Sequence, residues 1–397
     1  MSIEREGNRP MSLRIAIIGA GLGGLATALA LQKSGFRPVV YERSPEFAPL
    51  GAGLTMCSNA NRVLRHLGLG DMLERDGVTQ AQDYRDARSG AVLRRFDREN
   101  DLKKYGAPYY KVHRGDLQME MARLVMARDP DAVVMDSELE SIAQHGTEVT
   151  LKFANGTEAA ADLVIGADGI RSVVRQRLFD DSDPVFTGYV AWRALVPTEG
   201  LGEDFMVSAV TAGTDRMINR YLVRARKLIN VVCFSRRSGW RSADWSTKSD
   251  LGEVFEEFGD FDQNTMETLR LIDPNGVYKW ALHTRKPLQS WVSGRVVLLG
   301  DAVHPMLPFM GQGAAMAIED GMILARCLGS IPVLDTALAT YQAIRKPRAE
   351  ELVERSNLMA GVFHNGPDKY TRASDYTDQP TDPSMYDATS VPLQLPN

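Results

Sequence analysis

A glycine-rich turn between an apolar strand pattern and a helix pattern constrains this chain more than any other feature. The turn reads Gly19-Ala20-Gly21-Leu22-Gly23-Gly24; the apolar run 13–18 before it predicts a buried parallel strand, and residues 25–35 predict a helix. In such a turn the first glycine permits the sharp bend, the second lets backbone amides approach a pyrophosphate, and the last lets helix and strand pack closely. The pattern therefore predicts a dinucleotide-binding unit.

Glu42 strengthens this interpretation because it ends the next predicted strand, 38–41. It lies 18 residues after Gly24, close to the spacing of roughly 20 for an acid that binds a ribose. The alternative is a glycine turn that binds nothing, and the agreement of strand, glycines, helix and acid disfavours it. The motif alone does not say which dinucleotide binds.

Composition and charge exclude several classes of protein. The 397 residues are 44% hydrophobic and 24% charged, as in ordinary globular proteins, and the net charge of −5 provides no basic surface for nucleic acid. The polar amino terminus lacks a signal-peptide core, and no apolar run approaches the ~18 residues of a membrane span. Neither the cysteines nor the histidines have the spacing of a disulfide framework or a metal site, which predicts a metal-free cytoplasmic protein without a membrane partner. The cysteines are Cys57, Cys233 and Cys327, and the histidines are His66, His113, His145, His283, His304 and His364.

The order of the patterns predicts an α/β fold with a discontinuous Rossmann-like domain. We assign residues 12–72, 105–180 and 285–360 to this domain, and 73–104 with 181–284 to an inserted, mainly antiparallel β-sheet domain. The strands expected in the insertion are 189–196, 205–210, 217–223, 228–234 and 277–282. Further expectations are a helix from Ser58 or Asn59 as cap to Gly68, a helix 116–127, long C-terminal helices 312–328 and 333–357, and an extended arm, 361–397.

Two further motifs follow strand patterns. Gly166-Ala167-Asp168-Gly169 comes after the apolar run 163–165, and Gly300-Asp301-Ala302-Val303-His304-Pro305 comes after the run 296–299. Ligands of open parallel sheets bind at the carboxyl ends of strands, where both motifs lie. Taken singly, the first could be a helix-capping turn and the second a complicated connection.

Together, in this order and spacing, the three motifs resemble those of the FAD-dependent aromatic ring hydroxylases, the group A flavoprotein monooxygenases with the para-hydroxybenzoate hydroxylase fold. The resemblance covers about residues 12–360. It is strongest to the salicylate hydroxylase and 6-hydroxynicotinate 3-monooxygenase branch, through the segments 50–54, 112–117, 228–232, 310–314 and 386–388.

The resemblance implies FAD as bound cofactor, NADH or NADPH as transient reductant, and O2 as oxidant. It implies hydroxylation of an electron-rich ring through a flavin hydroperoxide. The cofactor-binding residues it implies are Gly19, Gly21, Gly24, Glu42, Arg43, Arg114, Leu139, Asp168, Asp301, Gly313 and Ala314. Without the resemblance, Arg114 could equally be a solvated charge at a helix start.

A hydroperoxide must be kept from water, and a phenol substrate must be helped to ionise, so we expect a mostly apolar pocket with a hydrogen-bonding group. The predicted catalytic residues are Thr55, Asn219, Tyr221 and Pro308, and the predicted substrate contacts are Met56, Arg220, Phe309 and Met310. Asn219 and Tyr221 alternate along one strand and so share a face. Tyr221 could instead be a half-buried sheet tyrosine, and we expect His304 to be structural because Pro305 follows it.

The chain departs from the 6-hydroxynicotinate enzymes at two positions where the resemblance implies histidines: it has Thr55 and Phe309 there. The predicted substrate is therefore a phenolic or hydroxypyridine-type aromatic, with or without a carboxylate and with or without decarboxylation. Arg193 and Arg220 are candidate anion partners, although Arg193 could simply tie the sheet together. The protein is expected as a monomer or homodimer.

Two alternatives remain open from the sequence. One is an FAD-dependent epoxidase or hydroxylase of a larger alkene or polyketide-like substrate. The other is a non-catalytic protein similar to the GDP-dissociation inhibitors, which lose parts of the flavin site that this chain keeps at Asp168 and Asp301. Flavin absorbance in the purified protein separates the second alternative from the enzymes.

Overall fold

A computed structural model describes residues 13–47, 53–77, 79, 81–237, 246–364 and 382–394. The helices within these ranges are α1 Leu22–Lys33, α2 Ser58–Leu67, α3 Gly70–Gly77, α4 Asp101–Tyr105, α5 Arg114–Arg128, α6 Val173–Leu178, α7 Leu251–Phe258, α8 Gln263–Arg270, α9 Gly313–Ser330 and α10 Leu334–His364.

The strands of the same ranges are β1 Ile15–Ile18, β2 Pro38–Tyr41, β3 Gly53–Met56, β4 Ala81–Asp86, β5 Val92–Asp97, β6 Tyr110–His113, β7 Val133–Val134, β8 Leu139–His145, β9 Glu148–Phe153, β10 Glu158–Ala161, β11 Leu163–Gly166, β12 Val185–Pro197, β13 Ala209–Ala212, β14 Arg216–Val223, β15 Leu228–Arg236, β16 Ser246–Lys248, β17 Tyr278–Thr284, β18 Val292–Ser293 and β19 Val296–Leu298.

A six-stranded sheet in the order β18-β19-β11-β1-β2-β7 forms the centre of the fold. Apart from the antiparallel pair β18 and β19, its neighbours are parallel. All four residues of β1 are buried, as expected for a strand covered on both faces. The parallel sheet and its helices confirm the predicted Rossmann-like α/β fold.

The glycine turn after β1 permits a close approach that a side chain would prevent. Gly19 has φ +101°, and a Cβ on Gly24 would lie 2.0 Å from the carbonyl oxygen of Gly19. Helix α1 therefore packs directly against the turn, and its start lies at the carboxyl end of β1.

A second sheet of eight strands, β16-β17-β12-β15-β14-β13-β4-β5, is antiparallel except where β13 pairs with β4. Strands β4 and β5 come from the segment 73–104, and the others come from 181–284. The antiparallel character of the second sheet is as predicted, while the boundaries of the two domains stay a prediction. One face of this sheet packs with α7 and α8 around buried Trp192, Ile218 and Phe258.

Three local expectations were wrong. The segment 205–208 is not a strand, because a 3-10 turn occupies Glu203–Phe205 and β13 begins only at Ala209. Neither Ser58 nor Asn59 caps α2, since both lie in its first turn after Cys57. Helix α10 continues past 357 to His364.

The predicted C-terminal arm is only partly described, because residues 365–381 lie outside the described ranges. Its described part is not a free arm. Ala388 is fully buried, and Arg62 of α2 donates to the carbonyl oxygens of Ser384 and Tyr386. This segment therefore packs on the parallel-sheet core.

Candidate active site

Three turns meet at the carboxyl edge of the parallel sheet. They follow β1, β11 and β19, and backbone hydrogen bonds fix each turn to a neighbouring strand. The amide of Gly19 donates to Tyr41 (2.8 Å), that of Ala167 to Ile18 (2.9 Å) and that of Leu299 to Gly166 (3.0 Å). Parallel register alone thus brings together three motifs that lie far apart in the sequence.

Glu42 is bonded to the glycine turn. Its carboxylate accepts from the amide of Ala20 at 2.8 Å and from that of Ser44 at 3.0 Å. Of the other residues predicted on this side, Arg43 is exposed, whereas Leu139 is 5% exposed at the start of β8 and belongs to the core.

Asp168 caps helix α6. One carboxylate oxygen accepts from the amides of Val173 (2.7 Å) and Val174 (3.2 Å). The other oxygen has no hydrogen-bond partner among the described residues. Burial raises the pKa of Asp168, and the hydrogen bonds from Ser172 and the helix amides partly offset that rise. The capping role is therefore present in the structure, and the neighbours of Asp168 in the chain, Ala167 and Gly169, line a cavity.

The cavity measures about 720 Å³, which lies within the ~300–1,000 Å³ typical of ligand sites. At one end, its cofactor end, the walls come from the three turns and from the start of α9. The residues there include Gly21, Arg114, Gly169, Gly300, Asp301, Gly313 and Ala314.

Asp301 and Arg114 carry opposite charges on this wall. The Asp301 side chain is accessible through the cavity although protein surrounds it, and this desolvation raises its pKa, against the effects of His304 and Arg114. Burial lowers the pKa of Arg114, while the carboxylates of Asp301 and Glu42 oppose that change. Arg114 is exposed on the cavity wall, and the carboxylates that act on it come from two different segments of the chain.

The opposite end of the cavity, its substrate end, is walled by the eight-stranded sheet. Tyr221 and Asn219 of β14 both face the cavity, as their alternation predicts. Pro308, Phe309 and Met310 form a 3-10 turn that approaches the cavity just before α9. Thr55 of β3 lies beside Gly311. An apolar patch of this wall consists of Val210, Met217, Val232 and Phe234, while charged side chains such as Arg94, Asp97 and Lys104 also line the cavity.

Two predicted substrate contacts do not reach the cavity wall. Arg220 lies between Asn219 and Tyr221 in sequence, so its side chain projects to the other face of the sheet. It is 1% exposed there, and its guanidinium donates to the Thr268 hydroxyl of α8 at 2.8 Å. Met56 is fully buried in the core of the parallel sheet. The prediction that Arg220 and Met56 contact the substrate was therefore wrong, because neither side chain lines the cavity.

Thr55 links two phenols at the substrate end. Burial raises the pKa of both Tyr221 and Tyr109, and polar contact with Thr55 partly offsets each rise. The Oδ1 atom of Asn219 has no hydrogen-bond partner among the described residues. A ring bearing a hydroxyl group would find hydrogen-bonding partners at this position.

Arginines supply positive charge to the substrate end. Arg193 of β12 lies over Trp280 (5.4 Å to the ring centroid), and its Nε has no partner among the described residues. Arg98, which sequence reasoning missed, stacks on Tyr109 at 4.4 Å and pairs with Asp101 at 3.4 Å. The polar, arginine-rich segment 94–98 was a signal for it, but its strand pattern did not show which end of the cavity it would reach.

A buried charged cluster supports the cofactor end. Asp320 accepts from His304 (2.6 Å), from the Gly300 amide (3.0 Å) and from Arg345 (2.8 Å). Arg345 also pairs with Glu319 at 2.7 Å, and Asn59 joins Glu319 to Gln312 just before α9. Burial would raise the pKa of Asp320, but His304 and Arg345 prevail and lower it to about 2. His304 therefore has the structural position predicted for it, and the cluster holds both the Gly300 turn and the start of α9.

Neither a metal-binding cluster nor a membrane-spanning helix occurs among the described residues. Within the described ranges, no group of three or more His, Cys, Asp or Glu side chains is arranged to hold a metal ion. None of the helices in those ranges combines the length and the apolar character that crossing a membrane requires.

A dinucleotide fold whose second sheet walls the substrate end of the cavity is typical of flavin-dependent redox enzymes, and comparison with known proteins identifies the family. The FAD binding domain family matches residues 12–356 of the chain. The chain belongs to it, within the group A aromatic monooxygenases, and is an FAD-dependent monooxygenase.

Relatives match the chain over nearly its full length. The 3-amino-4-hydroxybenzoate 2-monooxygenase PtmB3 of Streptomyces platensis is 35% identical and covers 92% of each chain. The 6-hydroxynicotinate 3-monooxygenase of Pseudomonas fluorescens is 36% identical over 97% of this chain and 98% of its own. Among solved structures, HpxO of Klebsiella pneumoniae with FAD and uric acid is 27% identical, with a TM-score of 0.81 and 92% of each chain covered.

The cofactor end fits FAD on its own geometry. A Cβ added to Gly21 would meet nothing within 4 Å, so open space adjoins the first amides of α1. No side chain caps α1 or α9, and neither has an acid in its first turn. Two helix N-termini are therefore available, one for a pyrophosphate and one for an electron-rich ring edge.

Proposed function

We propose that this monooxygenase hydroxylates a small phenol or hydroxypyridine that carries a carboxylate, using O2 and NADH or NADPH. The observation that carries the proposal is the single cavity that joins the three cofactor turns to Tyr221, Thr55 and the arginines of the second sheet. FAD, when bound, would supply the redox chemistry, namely acceptance of a hydride from the nicotinamide and activation of O2 for transfer of one oxygen atom to the ring, the other being released as water.

In this proposal the cofactor is held at four places. The α1 amides beside Gly21 bind the pyrophosphate, Glu42 binds the adenosine ribose, and Asp301 accepts from the ribityl chain. The amides of Gly313 and Ala314 face the isoalloxazine. The influence of both Glu42 and Asp301 on the pKa of Arg114, and its place on the cavity wall, support a role for it along the cofactor chain.

The apolar wall excludes water from the reacting ring. Val232, Phe234 and Phe309 form part of this wall, and Phe309 packs edge to face on Phe234 at 5.5 Å. A dry wall protects an oxygen-transfer step from unproductive loss of peroxide. It also strengthens the interaction of the substrate hydroxyl with the few polar groups that remain.

Tyr221 is the proposed partner of the substrate hydroxyl, with Thr55, Asn219 and the Pro308 carbonyl beside it. A phenol that is hydrogen-bonded and partly ionised pushes electrons into its ring, which favours hydroxylation. The raised pKa of Tyr221 keeps its own phenol protonated at neutral pH. Tyr221 can therefore donate a hydrogen bond to a substrate oxygen that is losing its proton.

Arg98 and Arg193 are the proposed partners of a carboxylate. Both line the cavity, and each has an Nε without a partner among the described residues. The two named relatives take, according to their names, hydroxylated six-membered rings that carry a carboxylate. The buried, unpaired thiols of Cys57, Cys233 and Cys327 support the further proposal of a reducing, cytoplasmic location.

The test is a substrate panel on the purified, FAD-loaded protein. It contains 3-amino-4-hydroxybenzoate, 6-hydroxynicotinate and 3-hydroxybenzoate, each beside its analogue without the carboxylate. We expect an oxygenated product from at least one carboxylated ring, with one 18O atom from 18O2, and slower turnover of its analogue. NAD(P)H loss is measured but not scored alone, because peroxide release consumes it too. Absence of product from every ring contradicts the proposal, and product only from larger alkenes or polyketide-like compounds supports the alternative instead.

A further inference from the structure

Lys111 is a buried lysine directly behind the substrate end of the cavity. It lies in the middle of β6, is 1% exposed, and its Nζ has no hydrogen-bond partner among the described residues. Lysine is almost never fully buried without a partner, because removing an ammonium from water costs several kcal/mol. Stability alone gives no reason for a lysine at this position.

The geometry directs Lys111 toward Tyr221. Strand β6 pairs with β3 so that Lys111 lies opposite Thr55, which lines the cavity. The Nζ atom lies 4.7 Å from the centroid of the Tyr221 ring, and Tyr221 is itself a cavity residue. One aromatic ring therefore separates the amine from the space that the substrate occupies.

The charged and titratable groups around Lys111 come from three elements. Arg98 approaches from the segment after β5, Cys57 from the residue before α2, and Tyr221 from β14. Arg193 of β12 approaches Tyr221 from elsewhere in the sheet. The groups that act directly on Lys111 and Tyr221 as cations are thus Arg98, which is itself paired with Asp101 at 3.4 Å, and Arg193, because burial raises the pKa of Cys57 to about 12 and also raises that of Tyr221.

These surroundings make the charge of Lys111 variable near neutral pH. The pKa of Lys111 is lowered to about 7, chiefly by burial, with Arg98 contributing to the lowering and Cys57 opposing it. A buried amine of this kind gains its proton readily when an anion arrives nearby, and it stabilises that anion in return.

Building on the proposed function, we propose that Lys111 is a positioning residue that stabilises the phenolate form of the substrate from behind the Tyr221 ring. The proton that leaves the substrate hydroxyl is balanced by the proton on the Lys111 amine, so the occupied site holds a cation and an anion instead of two neutral groups. Lys111 acts through the ring and its field and makes no bond to the substrate.

The experiment measures the pH at which a bound phenol ionises. The FAD-loaded enzyme is saturated with 3-amino-4-hydroxybenzoate, binding is followed by the flavin absorbance change, and the phenolate is followed by difference absorbance from pH 6 to 10. In Lys111→Met we expect the ionisation of the bound ring to move up by about one pH unit, a tenfold change in the equilibrium. We also expect kcat/KM at pH 7 to fall about tenfold, with FAD content unchanged.

Lys152→Met is the matched control, because Lys152 is an exposed strand lysine that pairs with Glu158 at 2.8 Å. It should leave both the ionisation and kcat/KM as in the parent enzyme. Methionine has nearly the length of lysine and needs no hydrogen bond, so Lys111→Met should fold. Lys111→Gln, which is also uncharged, provides a second variant with the same expected shift.

Each outcome separates this inference from the proposed function. If the parent enzyme makes product and both Lys111 variants ionise the bound ring at the parental pH, the inference is overturned and the function stands. If the parent binds the ring without making product, this ring is not the substrate, while the shift in ionisation still decides the inference. If the parent does not bind this ring, the same measurement is made with the ring of the substrate panel that gives product, and both proposals fail only if no ring of the panel binds.

Discussion

The two ends of the cavity are built in different ways. The cofactor end consists largely of backbone: turns after β1, β11 and β19, and the amides that begin α1 and α9. The substrate end consists of side chains from separate strands, with Tyr221 and Arg193 from the eight-stranded sheet and Thr55 from the two-stranded sheet of β3 and β6. Backbone recognition requires glycine at fixed positions in a short segment, whereas side-chain recognition depends on how distant strands pair. Mutations should therefore have different consequences at the two ends.

The largest effect is expected from the charged cluster that holds the cofactor end. Arg345→Leu removes the cation that pairs with Asp320 at 2.8 Å and with Glu319 at 2.7 Å, all of them buried. Glu319 keeps Arg348 at 2.8 Å, but buried Asp320 loses its arginine partner and keeps only His304 and the Gly300 amide, so the free energy of unfolding should fall by roughly 3–5 kcal/mol. Urea unfolding of the parent and variant measures this.

The exposed pair of Arg123 with Glu120 at 2.7 Å provides the control, and Arg123→Leu should cost about 0–1 kcal/mol. The dependence of the unfolding free energy on acidic pH gives a second check of this pairing. Because the pKa of Asp320 is lowered to about 2 in the fold, its contribution is complete above its ordinary pKa near ~4 and is lost as the pH falls toward 2. The parent should lose stability over that pH range, and Arg345→Leu should lose less. An equal loss in the two proteins would contradict the pairing of Arg345 with Asp320.

Two glycines of the first turn separate packing from cofactor binding. A Cβ on Gly24 would lie 2.0 Å from the Gly19 carbonyl oxygen, whereas one on Gly21 would meet nothing within 4 Å. Gly24→Ala should therefore destabilise the FAD-free protein by roughly 1–3 kcal/mol and weaken FAD binding. Gly21→Ala should leave the FAD-free protein as stable as the parent and still weaken FAD binding about tenfold or more, because the methyl group occupies space beside the α1 amides.

Urea unfolding of the stripped protein and titration of flavin fluorescence distinguish the two effects. Normal FAD affinity in Gly21→Ala would show that the pyrophosphate lies elsewhere, and an unchanged unfolding midpoint in Gly24→Ala would contradict the close approach at this turn.

The same contrast explains what the sequence could predict. The FAD-binding fold and its cofactor were readable because each motif is contiguous and its glycines have steric reasons that do not depend on the rest of the chain. Parallel pairing of β1, β11 and β19 then brings the motifs together. Asp168 shows the limit even here, since the motif did not decide between a helix cap and a cofactor contact, and the structure gives it the cap with one oxygen free.

The substrate end was harder to predict because strand alternation gives a face but not its neighbours. Alternation grouped Asn219 with Tyr221 correctly, and the same rule should have excluded Arg220, whose side chain contacts Thr268 of α8 instead. Lys111 gave no signal, because all four residues of β6 are buried and the strand has no polar face to read. Arg98 reaches the site through tertiary packing alone.

Tyr221→Phe tests the substrate end at its centre. It removes the phenol proposed to hold the substrate oxygen while keeping the ring that lines the cavity, so kcat/KM for the carboxylated phenol should fall about 100-fold. FAD affinity should stay as in the parent, because Tyr221 belongs to the other end. Tyr278→Phe changes an exposed tyrosine of β17 and should alter neither quantity. Parental kcat/KM in Tyr221→Phe would remove Tyr221 from the reaction.

The smallest effect is expected at Arg98, where a single charge is proposed to select the substrate. Arg98→Met should raise KM about tenfold for a carboxylated phenol, the loss expected for one charge-assisted hydrogen bond, and leave the KM of the analogue without the carboxylate unchanged. Arg220→Met is the informative comparison, because Arg220 is also an arginine but lies on the far face of the sheet with Thr268. It should lower the free energy of unfolding without changing the ratio of the two KM values. If instead Arg220→Met changes that ratio and Arg98→Met does not, the carboxylate binds on the far face of the sheet. The substrate end has then been assigned to the wrong face of the sheet.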